Sequence, residues 1–254
     1  MINIYTEKEI RAMRDGGKIL AKILKQVAKR VKPGITTEYL NKVAEDLIFS
    51  YGAKSSFKGF NNYPAALCTS INEEIVHGVP SKRVLKNGDI LSLDLGIRFP
   101  ANGASKGYCT DSAITVPIGK IDKKAKKLVN VTKKSLELAI KQCKPGNHLE
   151  DIGFAIQNYV EKNKFNVIRD LVGHGVGKEV HEDPQILNYG ERRQGTELKE
   201  GMVLALEPMT SMGNWEIEKS ADGFGYRTKD KSLSAHFEHT IAITKKGPQI
   251  LTKI

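Results

Sequence analysis

The sequence predicts an α+β domain built from two related halves, each with two helices packed on one face of a curved antiparallel sheet whose other face stays open. Two repeats carry this reading. A helical stretch, the tripeptide Lys-Pro-Gly and a second helical stretch occur around Lys32-Pro33-Gly34 and again around Lys144-Pro145-Gly146. An apolar strand closed by a carboxylate occurs at Gly88-Asp89-Ile90-Leu91-Ser92-Leu93-Asp94 and again, 113 residues on, at Gly201-Met202-Val203-Leu204-Ala205-Leu206-Glu207. No Pro/Gly/Ser-rich linker separates the copies, so the expectation is one domain over 1–254 with pseudo-repeats of about 1–117 and 118–254.

Each element follows from local pattern. Thr6-Glu7-Lys8-Glu9 has capping-box spacing and precedes an apolar stripe of helical period, Ile10, Met13, Ile19, Leu20, Ile23, Leu24, Val27 and Val31, which Lys32-Pro33-Gly34 ends. A second helix runs from Thr37 through Leu40, Val43, Leu47 and Ile48 to Gly52. Strands begin near Cys68, where β-branched residues and Pro, Asn and Gly replace the helical pattern. A lysine-rich helix from about Asp122 carries Leu128, Val131, Leu136 and Ile140, and a fourth carries Ile152, Ala155, Ile156 and Val160. Two shorter likenesses extend the repeat: Asp111-Ser112-Ala113-Ile114-Thr115 with Glu238-His239-Thr240-Ile241-Ala242, and Val76-His77-Gly78-Val79-Pro80 with Val180-His181-Glu182-Asp183-Pro184.

Composition narrows the class. The 254 residues are 40% hydrophobic and 27% charged, which fits a globular chain and excludes a disordered tail or a fibre. Three scattered cysteines, Cys68, Cys109 and Cys143, form no C-x-x-C pair and no disulfide framework, so free thiols and the cytoplasm are expected. No signal-peptide core and no run of about 18 uncharged residues is present, so no membrane partner is expected. A formal net charge of +11 attracts phosphate-rich partners without specifying one.

In a period-2 strand Ser92 and Asp94 face away from Leu91, Leu93 and Leu95, which places Asp94 at the end of a core strand with its carboxylate turned from the leucines. Glu207 has the same placement after Leu204 and Leu206, while Asp111 and Glu238 open apolar stretches. Each acid taken singly reads as a strand-end or capping carboxylate; four at equivalent places in two repeats read as a site for a cation. His174 lies in Gly173-His174-Gly175-Val176-Gly177, where alternating glycines leave room for a ligand beside the imidazole; a satisfied core histidine is the alternative. One imidazole and four carboxylates form a hard donor set, enough for two divalent ions about 3.5–4 Å apart, and suit Mn, Fe(II) or Co better than a thiolate zinc site does. Metal-assisted hydrolysis follows. No Gly-x-Ser-x-Gly elbow and no activated cysteine motif competes with it.

Ser70-Ile71-Asn72-Glu73 ahead of His77-Gly78-Val79-Pro80, then Leu93-Asp94, Gly107-Tyr108-Cys109-Thr110-Asp111, Gly173-His174-Gly175-Val176-Gly177, Val180-His181-Glu182, Glu207-Pro208 and Glu238-His239-Thr240 together resemble the type I methionine aminopeptidases. The resemblance covers nearly the whole chain in order. It implies the pita-bread fold and hydrolytic removal of the initiator methionine from nascent chains, preferably before a small second residue. It implies metal ligands at Asp94, Asp111, His174, Glu207 and Glu238, holding two divalent ions among Co, Mn, Fe(II) and Zn. By the same resemblance Glu207 relays a proton from the attacking water, His181 steadies the scissile carbonyl as it becomes an oxyanion, and His77 contacts the amide nitrogen of the leaving peptide. Phe57, Phe60, Tyr63, Cys68 and Phe224 fall where the family shapes its methionine pocket, although alone they would read as core. A monomer working on nascent amino termini is expected. The seven lysines from Lys120 to Lys134 offer either a solvated helix face or a transient ribosome contact.

One departure stands out. Residues Phe99 to Lys106 lengthen the connection between Asp94 and Asp111 beyond the family's usual one, and their Pro, Asn, Gly and Ser read as a turn extension that keeps both strands in facing. Two other functions use related folds. A proline-directed peptidase would share the metal set but not the Ser-Ile-Asn-Glu to His-Gly-Val-Pro loop, and a non-catalytic nucleic-acid binder would have no use for intact ligands.

Overall fold

Helix pairs open both halves where the capping and apolar patterns put them. In the computed structural model, which describes residues 1–101 and 106–254, α1 (Glu7–Ala28) and α2 (Thr37–Ser50) lead the first half, and α3 (Lys123–Ile140) and α4 (Leu149–Lys162) the second. At the start of α1, Glu9 N–H donates to Thr6 Oγ1 (3.4 Å) and Thr6 N–H to Glu9 Oε2 (2.8 Å), closing the capping box. Asp122 caps α3 by accepting from the N–H groups of Lys124 and Ala125. Both long helices stop short of their Lys-Pro-Gly. After α1 the Arg30 and Val31 N–H groups turn to the carbonyls of Val27 and Ala28, a tightened last turn suited to a chain whose residue before Pro33 avoids helical backbone.

The strands are β1 (Lys54–Ser55), β2 (Leu67–Ile71), β3 (Glu74–Val76), β4 (Ile90–Phe99) and β5 (Tyr108–Pro117) before α3. After α4 come β6 (Asn166–Val167), β7 (Gly173–Gly175), β8 (Glu182–Ile186), β9 (Val203–Leu206), β10 (Met209–Ser211), β11 (Ile217–Lys219), β12 (Tyr226–Thr228), β13 (Ser234–His236), β14 (His239–Thr244) and β15 (Gly247–Ile250). Pairing among the described residues is antiparallel and forms four sheets: β1-β4-β2 with β5 on β4, β13-β10-β6, β11-β12-β3, and β15-β14-β9-β7-β8. β1 lies ahead of the expected first strand near Cys68; two residues cannot display alternation.

Asp94 is not at a strand end, as its sequence context suggested, but in the middle of β4, which runs on to Phe99. The β4–β5 ladder is continuous from Ile90 opposite Pro117 to Phe99 opposite Tyr108, so the long connection leaves the register intact. The proposed turn extension itself falls largely on residues 102–105, outside the described ones.

Side-chain facing divides each half into a dry side and a site side. Leu91, Leu93 and Leu95 pack with Leu20, Ile23, Leu24 and Val27 of α1 and Leu40 and Ile48 of α2. Leu204 and Leu206 pack with Leu128, Leu136 and Ile140 of α3 and Ile152 and Ile156 of α4. Asp94 and Glu207 are left on the opposite side. The halves meet along a hydrogen-bonded seam: Glu238 N–H donates to Ala113 O (2.9 Å), Ser112 Oγ–H to Glu238 O (2.9 Å), and Asp111 N–H to Thr240 Oγ1 (2.9 Å). Among the described residues no helix is long and apolar enough to cross a membrane, and all three cysteines are buried free thiols.

Gly17, in the middle of α1, lies against the backbone of the C-terminal segment: a Cβ there would stand 2.5 Å from Leu251 O. Alanine at this position gains about 1 kcal/mol of helix propensity but forces a backbone displacement of the kind that costs about 1–3 kcal/mol. The expected result for Gly17→Ala is a lowered Tm in thermal unfolding followed by circular dichroism; a raised Tm would show that the crossing segment yields freely.

Candidate metal centre

Strand parity and two chain breaks bring the acids together. Asp94 lies opposite Ala113 and Asp111 opposite Gly96, so both project from one face of the β4–β5 hairpin, displaced diagonally by two residues. Glu207 occupies the break between β9 and β10, ahead of Pro208, and Glu238 the break between β13 and β14; the Leu206–His239 pair leaves them on the next rung. β7 inserts His174 beside Ala205 of β9. All five line one cavity open to solvent, and among the described residues no lysine or arginine lines it with them.

Asp94, Asp111, His174 and Glu238 are buried, at 7%, 3%, 9% and 2% exposure. Donor atoms of Asp111, His174 and Glu238 lie within 4.8 Å of one another. His174 Nε2 is 3.5 Å from Glu207 Oε1, while its Nδ1 lies 2.9 Å from Gly175 O. A carbonyl only accepts, so Nδ1 carries the proton and Nε2 turns its lone pair toward the acids.

The electrostatics of this arrangement are one-sided. Burial first, and then the neighbouring carboxylates, push Asp94 and Glu238 well above the usual carboxylate range and Asp111 to about 8, while burial alone takes Glu207 to about 8. Burial pushes His174 down to about 3, which keeps the imidazole neutral. Asp94 Oδ1 and Glu238 Oε1 are buried without a hydrogen-bond partner. Four desolvated carboxyl groups, two orphaned oxygens and a lone pair aimed among them fit a hard divalent cation, which supplies the missing positive charge.

The other expected site residues border this centre. His77 lines the cavity from a left-handed backbone, φ +58°, and burial holds it at about 4. The His181 ring lies 4.4 Å from that of His174 and edge-on to Phe60 at 5.1 Å. Its neighbour Glu182 is anchored by Tyr5, whose hydroxyl donates to Oε2 at 2.7 Å. Phe57, Tyr63, Cys68 and Phe224 form an apolar recess: Tyr63 meets Phe224 edge-to-face at 5.6 Å, and Cys68 pairs with Asp94 across β2 and β4. Every side chain expected at the site therefore lines one cavity.

Two details depart from the sequence reading. The glycines around His174 admit neighbouring protein, not a ligand: a Cβ at Gly173, Gly175 or Gly177 would strike Ala205 O, Asp183 O or the Tyr5 ring. The sequence reading also passed over Asn61, which lines the cavity, and His236, buried to 1% with Nε2 at 3.3 Å from Glu207 Oε2. The signal for His236 was present, since it stands two residues before Glu238 as Cys109 stands two before Asp111.

The fold and donor set define a metallopeptidase, and residues 11–245 match metallopeptidase family M24. The chain belongs to that family. It is similar over its full length, at 47% identity, to methionine aminopeptidase 1 of Bacillus subtilis (strain 168), the match covering all of both chains. It is also 47% identical over 253 residues to the methionine aminopeptidase of Clostridium acetobutylicum, covering 99% of each. The crystal structure of methionine aminopeptidase from Thermotoga maritima superposes with a TM-score of 0.95 at 46% identity over the whole of both chains. Prolidase from Pyrococcus furiosus, at 24% identity, a TM-score of 0.75 and 65% of its own length, shares the fold. That fold is the pita-bread fold.

The raised carboxyls set a pH dependence for the metal-free protein. Folded, Asp111 and Glu207 keep protons up to about pH 8; unfolded, they release them near 4, so their contribution to stability falls as pH rises through that window. Below about pH 6.5 the buried histidines, held neutral in the fold, act in the opposite sense, so the Tm of chelator-treated protein should fall between about pH 7 and 8, and saturating Mn²⁺ should abolish the fall. A metal-free Tm that climbs steadily over the same range would contradict this.

Proposed function

We infer that this chain is a metal-dependent methionyl aminopeptidase that hydrolyses the bond after an amino-terminal methionine on peptides and nascent proteins. The observation that carries the reading is a cavity in which five hard donors adjoin an apolar recess of aromatic rings and one thiol, in a chain 47% identical over its full length to a methionine aminopeptidase. The chain acts as one catalytic domain, with pseudo-repeats meeting at the site, as a cytoplasmic monomer.

Asp94, Asp111, His174, Glu207 and Glu238 hold two divalent ions, from Co, Mn, Fe(II) or Zn. Bound there, the ions supply Lewis acidity at the scissile carbonyl and lower the pKa of water from 15.7 towards about 7. Glu207 is the proton carrier: it takes the proton of the attacking water and returns it to the leaving amine. His181 offers an N–H to the carbonyl oxygen as negative charge develops, and His77 contacts the nitrogen of the leaving peptide. Phe57, Phe60, Tyr63, Cys68 and Phe224 receive the methionine side chain, a thioether that packs well against ring edges. Lysines 120 to 134 give a basic surface for a transient ribosome contact.

Assay of Met-Ala-Ser, Met-Pro and Ala-Pro peptides tests the reading against a proline-directed one. Metal-restored protein should cleave Met-Ala-Ser and leave Ala-Pro intact, and thorough chelation should abolish turnover. Ala-Pro cleavage, or full activity after verified metal removal, would sink it. Glu207→Gln should lower kcat by about 10²–10⁴ with metal content measured alongside, and near-normal turnover would take Glu207 out of the mechanism. Because His77 and His181 flank the position after methionine, kcat/KM should be far higher for Met-Gly than for Met-Trp peptides; equal values would remove the steric role.

A further inference from the structure

We propose that His236 is a positioning residue for Glu207: a small turn of the carboxylate lets Oε2, 3.3 Å away, accept from His236 Nε2–H and holds Oε1 toward the cation site beside His174. The inference rests on the reading of Glu207 as a metal ligand and proton carrier.

The backbone gives Glu207 little support. It stands in the break between β9 and β10, and Pro208 removes the next N–H from any ladder. Its two oxygens instead face two imidazoles, Oε1 toward His174 Nε2 at 3.5 Å and Oε2 toward His236 Nε2 at 3.3 Å. A carboxylate that must move a proton needs one orientation, and two flanking rings define it.

His236 is mounted rigidly enough for that task. Thr115 Oγ1 accepts from His236 N–H and donates to His236 O, both at 2.8 Å, and the same hydroxyl meets Ser92 Oγ at 2.8 Å. Ser92 shares its strand face with Asp94, so the ring is tied across the seam to the hairpin that carries two other acids. At 1% exposure, neither ring nitrogen has a hydrogen-bond partner among the described residues. A buried N–H left unmatched is unfavourable, and Glu207 Oε2 is an acceptor already in range. An apolar side chain would fill this place without that penalty.

Calorimetric titration of metal-free protein with Mn²⁺, together with steady-state cleavage of Met-Ala-Ser, tests the assignment in His236→Leu and His236→Gln. Leucine fills the volume without a donor; glutamine keeps an N–H of similar reach. His236→Leu should weaken Mn²⁺ binding and lower kcat by about 10–100-fold with KM nearly unchanged, and His236→Gln should recover most of both. Wild-type Kd and kcat in His236→Leu would overturn the proposal, as would equal losses in both variants with a common drop in Tm, which would mark a packing role. If wild-type protein itself bound no Mn²⁺, the ligand reading of Glu207 would fail and this assignment with it; normal wild-type binding beside an unaffected leucine variant would sink the assignment alone.

Discussion

Uncompensated negative charge organises this molecule. Four carboxyl groups converge in one cavity that no lysine or arginine among the described residues lines, and burying an ionised carboxylate without a partner is among the most unfavourable things a fold can do. Two responses are open. Without a cation the acids stay protonated well above their ordinary range; a divalent cation placed among them would favour their ionised forms. Holding the cluster together therefore falls to the rest of the fold.

The duplicated architecture supplies that hold. Each half presents a strand whose leucines are clamped under a helix pair, so the facing of Asp94 and of the stretch leading to Glu207 cannot slip by one residue without exposing a core. The seam then fixes the two halves against each other through Ser112, Thr115, Glu238 and Thr240, much of it by side-chain hydroxyls bonded to main chain. Regular ladders cannot aim four acids at one point, because side chains on a pleated face stay parallel. Breaks at Glu207-Pro208 and before β14, and the left-handed backbone at His77, provide the convergence.

How much was legible in the sequence follows the same division. The capping box at Thr6–Glu9, the stripes of the four helices and the leucine–aspartate parity of β4 are local patterns, and each became the expected structure. Convergence of Asp94, Asp111, His174, Glu207 and Glu238 was legible because the repeat set the acids at matching places. Long-range packing was not. Nothing local says that Gly173 and Gly175 face a neighbouring carbonyl, that Lys54 and Ser55 pair with β4, or that the strand bearing Asp94 continues to Phe99. His236 fell between the two, marked by its spacing from Glu238 yet given meaning only by the approach of Glu207 from another strand.

The central claim is that the acids are protonated until a cation replaces their protons. Calorimetric binding of Mn²⁺ near pH 6.5, repeated in buffers of differing ionisation enthalpy, counts the protons displaced. The account requires a release of at least about two protons per protein, since Asp111 and Glu207, pushed to about 8, must ionise to become ligands. Binding that releases no proton would mean the carboxylates were already charged, and the account would be wrong at its base.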